Sequence, residues 1–314
     1  MNPQASSAVL AFDVGGTDMK VGLLPDGSIA SGALPLLDVR RVRTPRDAGR
    51  PGDAVVDRIV ELTEEYRRKH PDVYMAAIGV GVPGLVDENT GIGILSVNLG
   101  WSEYPFVQRL SERLAVPVAL GHDAKMAGEA EFRLGAARGR SNAIVMVIGT
   151  GISGAIFSDG HRLVGGSYAG ELGHALVPGP NGSMQKLECI GAAGAIARRY
   201  TEATGTAADG ARGVLRMAQN GDTAAGRIWS EAADAIAFNI AQCVAILGTE
   251  TVVLGGGLAE AREALFAPVM ARVDQLLTFQ PRPRIVPAEL GQNAGLVGSG
   301  LNARELLESG LTRL

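Results

Sequence analysis

Ala11-Phe12-Asp13-Val14-Gly15-Gly16-Thr17-Asp18-Met19-Lys20 is the stretch of this 314-residue chain on which the fold turns. Apolar residues lead into it from Ala8, as in a buried strand, and then meet an acid, two glycines, a hydroxyl and a lysine. Two glycines let the backbone turn tightly and bring its N–H groups close to a ligand. Thr17 adds a hydroxyl donor, and Asp13 is an oxygen ligand suited to hydrated magnesium. The stretch is neither Gly-x-Gly-x-x-Gly nor a Walker A loop, so neither mechanism is inherited from those motifs. It reads as a phosphate cradle or, taken alone, as a glycine-rich hairpin.

Working outward, Val9 to Val14 and Met19 to Leu24 are strands, and Pro25-Asp26-Gly27 is the next turn of the hairpin series. Pro51 to Lys69 has helical periodicity, with Val55, Val56, Ile59, Val60 and Leu62 on one side. Ala76 to Val82 is a strand ending at Pro83-Gly84; Pro105 to Leu114 is a helix and Val116 to Leu120 a strand. A second set follows: helix Ala124 to Leu134, then strands Ala143 to Ile148 and Ile152 to Phe157 joined by Gly149-Thr150-Gly151. Helices fill Gly191 to Leu247, strand Thr251 to Leu254 opens onto Gly255-Gly256-Gly257, Ala259 to Leu277 is helical, and a last helix ends the chain. Alternating strands and helices predict an α/β layer structure. Each half places a glycine turn after a strand, so two phosphate-seeking loops are expected.

Hydrophobic residues make up 46% of the chain and aromatics only 4%, so the cores are expected to be aliphatic. The 43 glycines are clustered without a period, as expected for many tight turns. A formal charge of −4 gives no basic footprint for nucleic acid. Cys189 and Cys243 imply no disulfide framework and suit a reducing cytosol. No basic segment followed by an apolar run marks a signal peptide, and no apolar run of about 18 residues marks a membrane span. A cytoplasmic location without membrane attachment is therefore expected.

Several further groups carry chemistry. His122-Asp123 ends a strand and opens a helix, where an acid is either a cap or a general base at a strand end. Gly149-Thr150-Gly151 is a hairpin corner or a second phosphate loop. Gly255-Gly256-Gly257 is a tight turn or a bare backbone face for a flat ligand. Glu171 and His174 within Gly170-Glu171-Leu172-Gly173-His174, then Glu188, and Asn98 ahead of Leu99-Gly100-Trp101, supply acids and amides of the kind that bind sugar hydroxyls.

Together these pieces resemble the ROK family of bacterial sugar kinases, within the actin-like ATPase-domain superfamily. The landmarks run in family order over nearly the whole chain: Asp13-Val14-Gly15-Gly16-Thr17 with Lys20, Gly81-Val82-Pro83-Gly84, Asn98-Leu99, Asp123, Gly149-Thr150-Gly151, Glu171-Leu172-Gly173-His174, Glu188 and Gly255-Gly256-Gly257. The resemblance implies a two-lobed actin-like (ribonuclease H-like) α/β fold with an active-site cleft between lobes. A small lobe of 1–121 plus 296–314 and a large lobe of 122–295 are expected. It implies that Asp123 is the general base for a sugar hydroxyl, usually O6, and that Asn98, His122, Glu171, His174 and Glu188 grip the sugar. Gly15, Gly16, Thr17, Lys20, Thr150 and Gly151 would line the phosphates, Gly255 and Gly256 would border adenosine, and Asp13 would hold magnesium through water. Mg-ATP as donor, a hexose such as glucose as acceptor, and a homodimer are expected.

Two departures from the family pattern stand out. Many members carry a zinc motif, Cys-x-Cys-Gly-x-x-Gly-Cys-x-Glu. Anchored on Glu188, its cysteine positions are here Gly179, Asn181 and Lys186, so no zinc is expected and packing and hydrogen bonds must hold Pro178 to Lys186. The residue before the catalytic Asp is usually Asn and is here His122. An imidazole offers one donor and one acceptor where an amide offers two of each, so an amino sugar such as kanosamine stands beside glucose as acceptor. Three rival readings fit the residues less well. A family repressor would need a DNA-binding domain ahead of a strand that starts near residue 8. A non-catalytic sugar sensor sits poorly with the presence of Asp13, Thr17, Asp123 and Thr150. Polyphosphate as donor would favour a basic groove, whereas Arg40-Arg41-Val42-Arg43 and Arg67-Arg68-Lys69 read as solvated faces.

Overall fold

The hydrophobic pattern is realised closely in a computed structural model that describes residues 6–26 and 36–310. In chain order the elements are β1 (Ser6–Val14), β2 (Asp18–Pro25), β3 (Leu37–Arg43), α1 (Pro51–Lys69), β4 (Val73–Val82), β5 (Leu85–Asp87), β6 (Ile92–Leu95), β7 (Ser102–Tyr104), α2 (Phe106–Leu114), β8 (Val118–His122) and α3 (Asp123–Arg133). They continue with β9 (Ala143–Ile148), β10 (Ile152–Ser158), β11 (His161–Arg162), β12 (Leu176–Pro178), β13 (Met184–Lys186), α4 (Leu187–Gly191), α5 (Ala193–Thr204), α6 (Gly210–Gln219), α7 (Thr223–Leu247), β14 (Thr251–Gly255), α8 (Glu263–Leu276), β15 (Arg284–Pro287) and α9 (Ala294–Glu308). The turn expected at Pro25-Asp26-Gly27 reaches Gly27, which lies outside the described residues.

The chain forms two compact units, one from the described parts of 1–130 and 293–314 and one from 131–292. The sequence reading divides the chain at 121/122 and 295/296 instead. Residues 122–130 stay with the first unit because α9 meets α3 without room for a side chain. A Cβ on Gly298 would stand 1.8 Å from the carbonyl oxygen of Met126.

In the first unit the sheet order is β3-β2-β1-β4-β8. β1 is antiparallel to β2 and parallel to β4, and β4 is parallel to β8. Side chains alternate across β1, as the period of a strand requires. Leu10, Phe12 and Val14 share a core with Val55, Val56, Ile59 and Leu62 of α1 and Phe106 and Leu110 of α2. Val9, on the other face, packs with Ala303 and Leu306 of α9. Helix α1 spans the residues its pattern predicts. Pro51 opens it, Asp53 lies in the first turn, and Arg67, Arg68 and Lys69 close the last, each favourable to the helix dipole.

The second unit repeats the plan. Its sheet runs β11-β10-β9-β14-β15, again an antiparallel meander followed by two parallel strands. Gly15-Gly16-Thr17 and Gly149-Thr150-Gly151 therefore occupy equivalent hairpin turns, β1 to β2 and β9 to β10. Helix α7 lines the core with Ile228, Trp229, Ile236 and Ile240. By length and composition alone it is apolar enough to cross a bilayer, with a window of mean hydropathy 1.3, although 56% of that window is buried inside the protein.

Three local features differ from the sequence reading. Strand β8 ends at His122 rather than Leu120, because Gly121 and His122 pair with Gly81 and Val82 of β4. Ala259 to Leu277 is not one helix. Gly257–Ala261 forms a tight 3-10 turn, Arg262 takes φ 51° and ψ −127°, and α8 starts afresh, with the Leu265 and Phe266 N–H groups donating to the Arg262 carbonyl at 2.9 Å. Short strands β5 to β7, too short to show a period, were not anticipated. Pro268 lies inside α8 and has no N–H for the Ala264 carbonyl; the Trp229 indole N–H donates to that oxygen instead, at 2.9 Å.

One buried carboxylate ties the second unit's ends together. Glu131 is 1% exposed and accepts N–H bonds from Ala136 at 2.9 Å, Glu289 at 3.1 Å and Leu290 at 2.7 Å. Glu131→Ala would strand the buried Leu290 N–H and two part-buried donors and should cost about 2 kcal/mol, with Glu131→Gln costing less. Urea unfolding of the two variants checks this; equal stability of Glu131→Ala and wild type would contradict it.

Candidate active site

Strands β1, β4 and β8 are parallel and finish at the same edge of their sheet. Asp13 pairs with Gly81 and Gly81 with Gly121, so three residues form a row across the sheet, followed by Val82 beside His122. Beyond that row come the Gly15-Gly16-Thr17 turn, Pro83-Gly84 and Asp123. The register thus collects, on one edge, residues remote in sequence.

Asp13 and Lys20 face each other across the hairpin, and the Lys20 Nζ donates to Asp13 Oδ2 at 3.1 Å. Gly295 at the start of α9 leaves the Asp13 carboxylate its space: a Cβ there would lie 2.8 Å from it. In the turn, Gly15 N–H donates to Asp18 O at 3.0 Å. Thr44 Oγ1 donates to Gly15 O at 2.7 Å, Arg46 Nη2 to Gly16 O at 2.7 Å, and Thr44 N–H to Thr17 O at 3.0 Å. Thr17 itself is exposed.

Asp123 is the first residue of α3. A capping carboxylate bonds the N–H groups two or three residues on. Asp123 Oδ1 instead accepts from its immediate neighbour Ala124, at 2.6 Å. Its side chain is 31% exposed. Burial, and then the negative charge of Asp13, raise its pKa from the ordinary 3.8 to about 7, against the lowering effect of the Ala124 N–H. His122 is buried, its Nδ1 3.3 Å from Asp123 Oδ1. The same Nδ1 lies 3.2 Å from the Ala124 N, whose N–H has its shorter bond to Asp123 Oδ1.

The second unit makes its own cluster. Glu188, in the first turn of α4, is the centre: Cβ atoms on Gly151 or Gly173 would each come 3.1 Å from its Oε2. His174 Nε2 lies 3.6 Å from Glu188 Oε1. Glu171 precedes the 3-10 turn Leu172–His174 that carries His174. Gly255 pairs with Val147 of β9, and Gly256, at φ 80°, has its Cβ direction filled by the Ile148 backbone at 2.4 Å. The triple glycine therefore lies beside the turn that holds Thr150 and Gly151. Thr150 is exposed. Asn98 stands in the exposed turn after β6. That hairpin presses on Gly84, where a Cβ would meet Leu95 O at 2.1 Å.

Within the first unit the structure thus joins Asp13, Gly15, Gly16, Thr17, Lys20, His122 and Asp123 on one sheet edge. Within the second it joins Thr150, Gly151, His174, Glu188, Gly255 and Gly256. Thr44, Arg46 and Gly295 were not singled out in the sequence; no motif marks them. The segment aligned with the family's zinc clip is a hydrogen-bonded hairpin. β12 pairs with β13, Gly179 N–H donates to Ser183 O at 2.8 Å, and Val177 is buried as its anchor. Among the described residues no three His, Cys, Asp or Glu side chains cluster as a metal site would require.

The sequence model of the ROK family matches residues 9–305. This chain belongs to the ROK family. A glucokinase of Thermotoga maritima is 30% identical over 321 residues, covering 95% of this chain and 97% of the relative. A bifunctional enzyme NanE/NanK of Brucella melitensis is 34% identical over 295 residues, 93% of this chain; the chain spans about half (53%) of that relative's length. The crystal structure of a ROK hexokinase from Thermus thermophilus is similar at TM-score 0.82 and 32% identity, over 96% of this chain and 100% of the other. This ROK protein has the two-lobed actin-like ATPase fold and is a sugar kinase, a phosphotransferase with an alcohol acceptor.

The raised pKa of Asp123 has a consequence for stability. Between pH 4 and 7 the unfolded chain has released this proton while the folded protein keeps it, so Asp123 lowers stability as pH rises and its cost is complete above pH 7. Asp123→Asn of this ROK kinase should therefore melt higher than wild type at pH 8, with a smaller difference at pH 5. A melting-temperature difference that is the same at both pH values would contradict the assignment.

Proposed function

We propose that this chain is a glucokinase-type enzyme that moves the γ-phosphoryl of Mg-ATP to the 6-hydroxyl of a hexose, most naturally glucose. The observation that carries the reading is the place of Asp123, a carboxylate just past the end of β8 on the sheet edge that also carries Asp13 and the Gly15-Gly16-Thr17 turn. Burial and the Asp13 charge raise its pKa to about 7, which suits a general base at neutral pH. In this reading its carboxylate takes the O6 proton as O6 bonds to the γ-phosphorus and the bond to the ADP oxygen breaks. Little covalent chemistry is asked of the protein; phosphoryl transfer depends on positioning and charge neutralisation. Gly15, Gly16, Thr17, Lys20, Thr150 and Gly151 are proposed to line the phosphates and Gly255 and Gly256 the adenosine. Asn98, His122, Asp123, Glu171, His174 and Glu188 are proposed to bind the hexose hydroxyls.

Magnesium fits the residues present. Asp13 is a hard oxygen ligand whose charge opposes ionisation of Asp123, so a cation held there through water would relieve that repulsion. When bound with ATP it would neutralise phosphate charge. Lys20, 3.1 Å from Asp13, brings a side-chain cation to the same point.

His122, standing where the family pattern has Asn, is read as a substitute that still bonds a hexose hydroxyl, which keeps glucose ahead of an amino sugar such as kanosamine. The hairpin at 176–186 supplies by hydrogen bonding what thiolates and zinc supply in other members, and metal analysis should find no stoichiometric zinc; one zinc per chain would refute this.

ADP release measured with ATP over a panel of hexoses and amino sugars tests the reading. Glucose should give the highest kcat/KM, and Asp123→Asn should lower kcat by about 100- to 10,000-fold while sugar binding persists. Asp123→Asn with near-wild-type turnover would overturn the mechanism. A preference for kanosamine would overturn the choice of sugar alone.

A further inference from the structure

The glycine turn between β1 and β2 has a feature its sequence does not announce. All three of its carbonyls are taken by one short segment, residues 44–46. Gly15 O accepts from Thr44 Oγ1 at 2.7 Å, Gly16 O from Arg46 Nη2 at 2.7 Å, and Thr17 O from the Thr44 N–H at 3.0 Å. Thr44 is 6% exposed, so its hydroxyl is a buried polar group committed to this bond. Arg46 is exposed, and its bond is charge-assisted.

In a trans peptide the carbonyl and the following N–H point in opposite directions. Holding Gly15 O and Gly16 O toward residues 44–46 therefore turns the N–H groups of Gly16 and Thr17 the other way. On Gly16 nothing lies within 4 Å of where a Cβ would stand, so the turn is open there. Glycine peptides rotate more freely than any others. Were the Gly15–Gly16 peptide to flip, the turn would present a carbonyl dipole where an anion needs a donor. Two glycines can approach a phosphate but cannot keep their own amides aimed at it; something outside the turn must.

We infer that Thr44 and Arg46 are positioning residues that fix the polarity of this loop, keeping its amide donors aimed at the nucleotide phosphates. The inference rests on the reading of Gly15-Gly16-Thr17 as a phosphate loop. It assigns a role in nucleotide binding to the residues just after β3, a part of the chain with no recognisable motif.

Calorimetric titration of each protein with Mg-ADP and, separately, with glucose tests it, alongside steady-state kinetics and melting temperature. Thr44→Val removes the hydroxyl at similar volume; it should weaken Mg-ADP binding and raise the KM for ATP by about tenfold, with glucose affinity held to within about twofold. Thr44→Ser keeps the hydroxyl and should restore the wild-type values. Arg46→Met, on the exposed side, should act in the same direction and keeps the test open if Thr44→Val folds poorly. Thr17→Val separates this inference from the reading beneath it. If Thr17→Val weakens Mg-ADP binding while both Thr44→Val and Arg46→Met bind as wild type, the positioning role is wrong and the phosphate loop stands. If all three bind Mg-ADP as wild type, both fall. A lower melting temperature with unchanged Mg-ADP affinity in Thr44→Val and Arg46→Met marks the tethers as merely structural and also overturns the inference.

Discussion

A carboxylate held out of water beside a second one, Asp123 beside Asp13 at one sheet edge, is the constraint on which the site in the first unit depends. Asp13 and Asp123 are brought there by the parallel register of β1, β4 and β8, which sets Asp13 in a row with Gly81 and Gly121. Partial burial and the charge of Asp13 keep a proton on Asp123 up to about pH 7. A fold has no reason to keep this arrangement for stability, because it destabilises the folded state whenever Asp123 ionises. The cost becomes intelligible if a substrate hydroxyl supplies the proton and a cation relieves the field.

Much of the supporting structure serves that edge. Glycines stand wherever another backbone or a carboxylate must approach: Gly295 clears the Asp13 carboxylate, and Gly298 lets α9 touch the α3 backbone. The second unit repeats the meander and the two parallel strands, and sets its own glycine turn in the equivalent place. There the turn is backed by Glu188, with Gly151 and Gly173 packed against its carboxylate. A β-hairpin over 176–186 buries Val177 and is closed by main-chain hydrogen bonds.

The sequence disclosed those parts in which local signals agree. Helix α1 was legible from end to end because its apolar face, its opening proline and its basic last turn all say the same thing. The β1–turn–β2 unit was legible because a buried strand running into Asp13 and Gly15-Gly16-Thr17 has few other readings. The candidate site residues were named from motif order, and the structure groups most of them into two clusters. What the sequence hid depends on contacts between distant segments. The end of β8 is set by pairing with β4, and apolar run length alone places it two residues early. The break at Arg262 follows from the glycine turn before it, although the apolar pattern continues through it. Thr44 and Arg46 have no signature because their partners are carbonyl oxygens, which every residue carries. The charge conflict at Asp123 could not be read at all, since nothing local says that Asp13 is near.

The most direct measurement of the central claim is the titration of Asp123 itself, by carbon NMR of aspartate carboxyl groups in the wild type and in Asp13→Asn. The account predicts a midpoint near pH 7 in the wild type and a distinctly lower one once the Asp13 charge is gone, with burial alone still holding it above the ordinary aspartate range. A midpoint near 4 in the wild type, unmoved by Asp13→Asn, would contradict it.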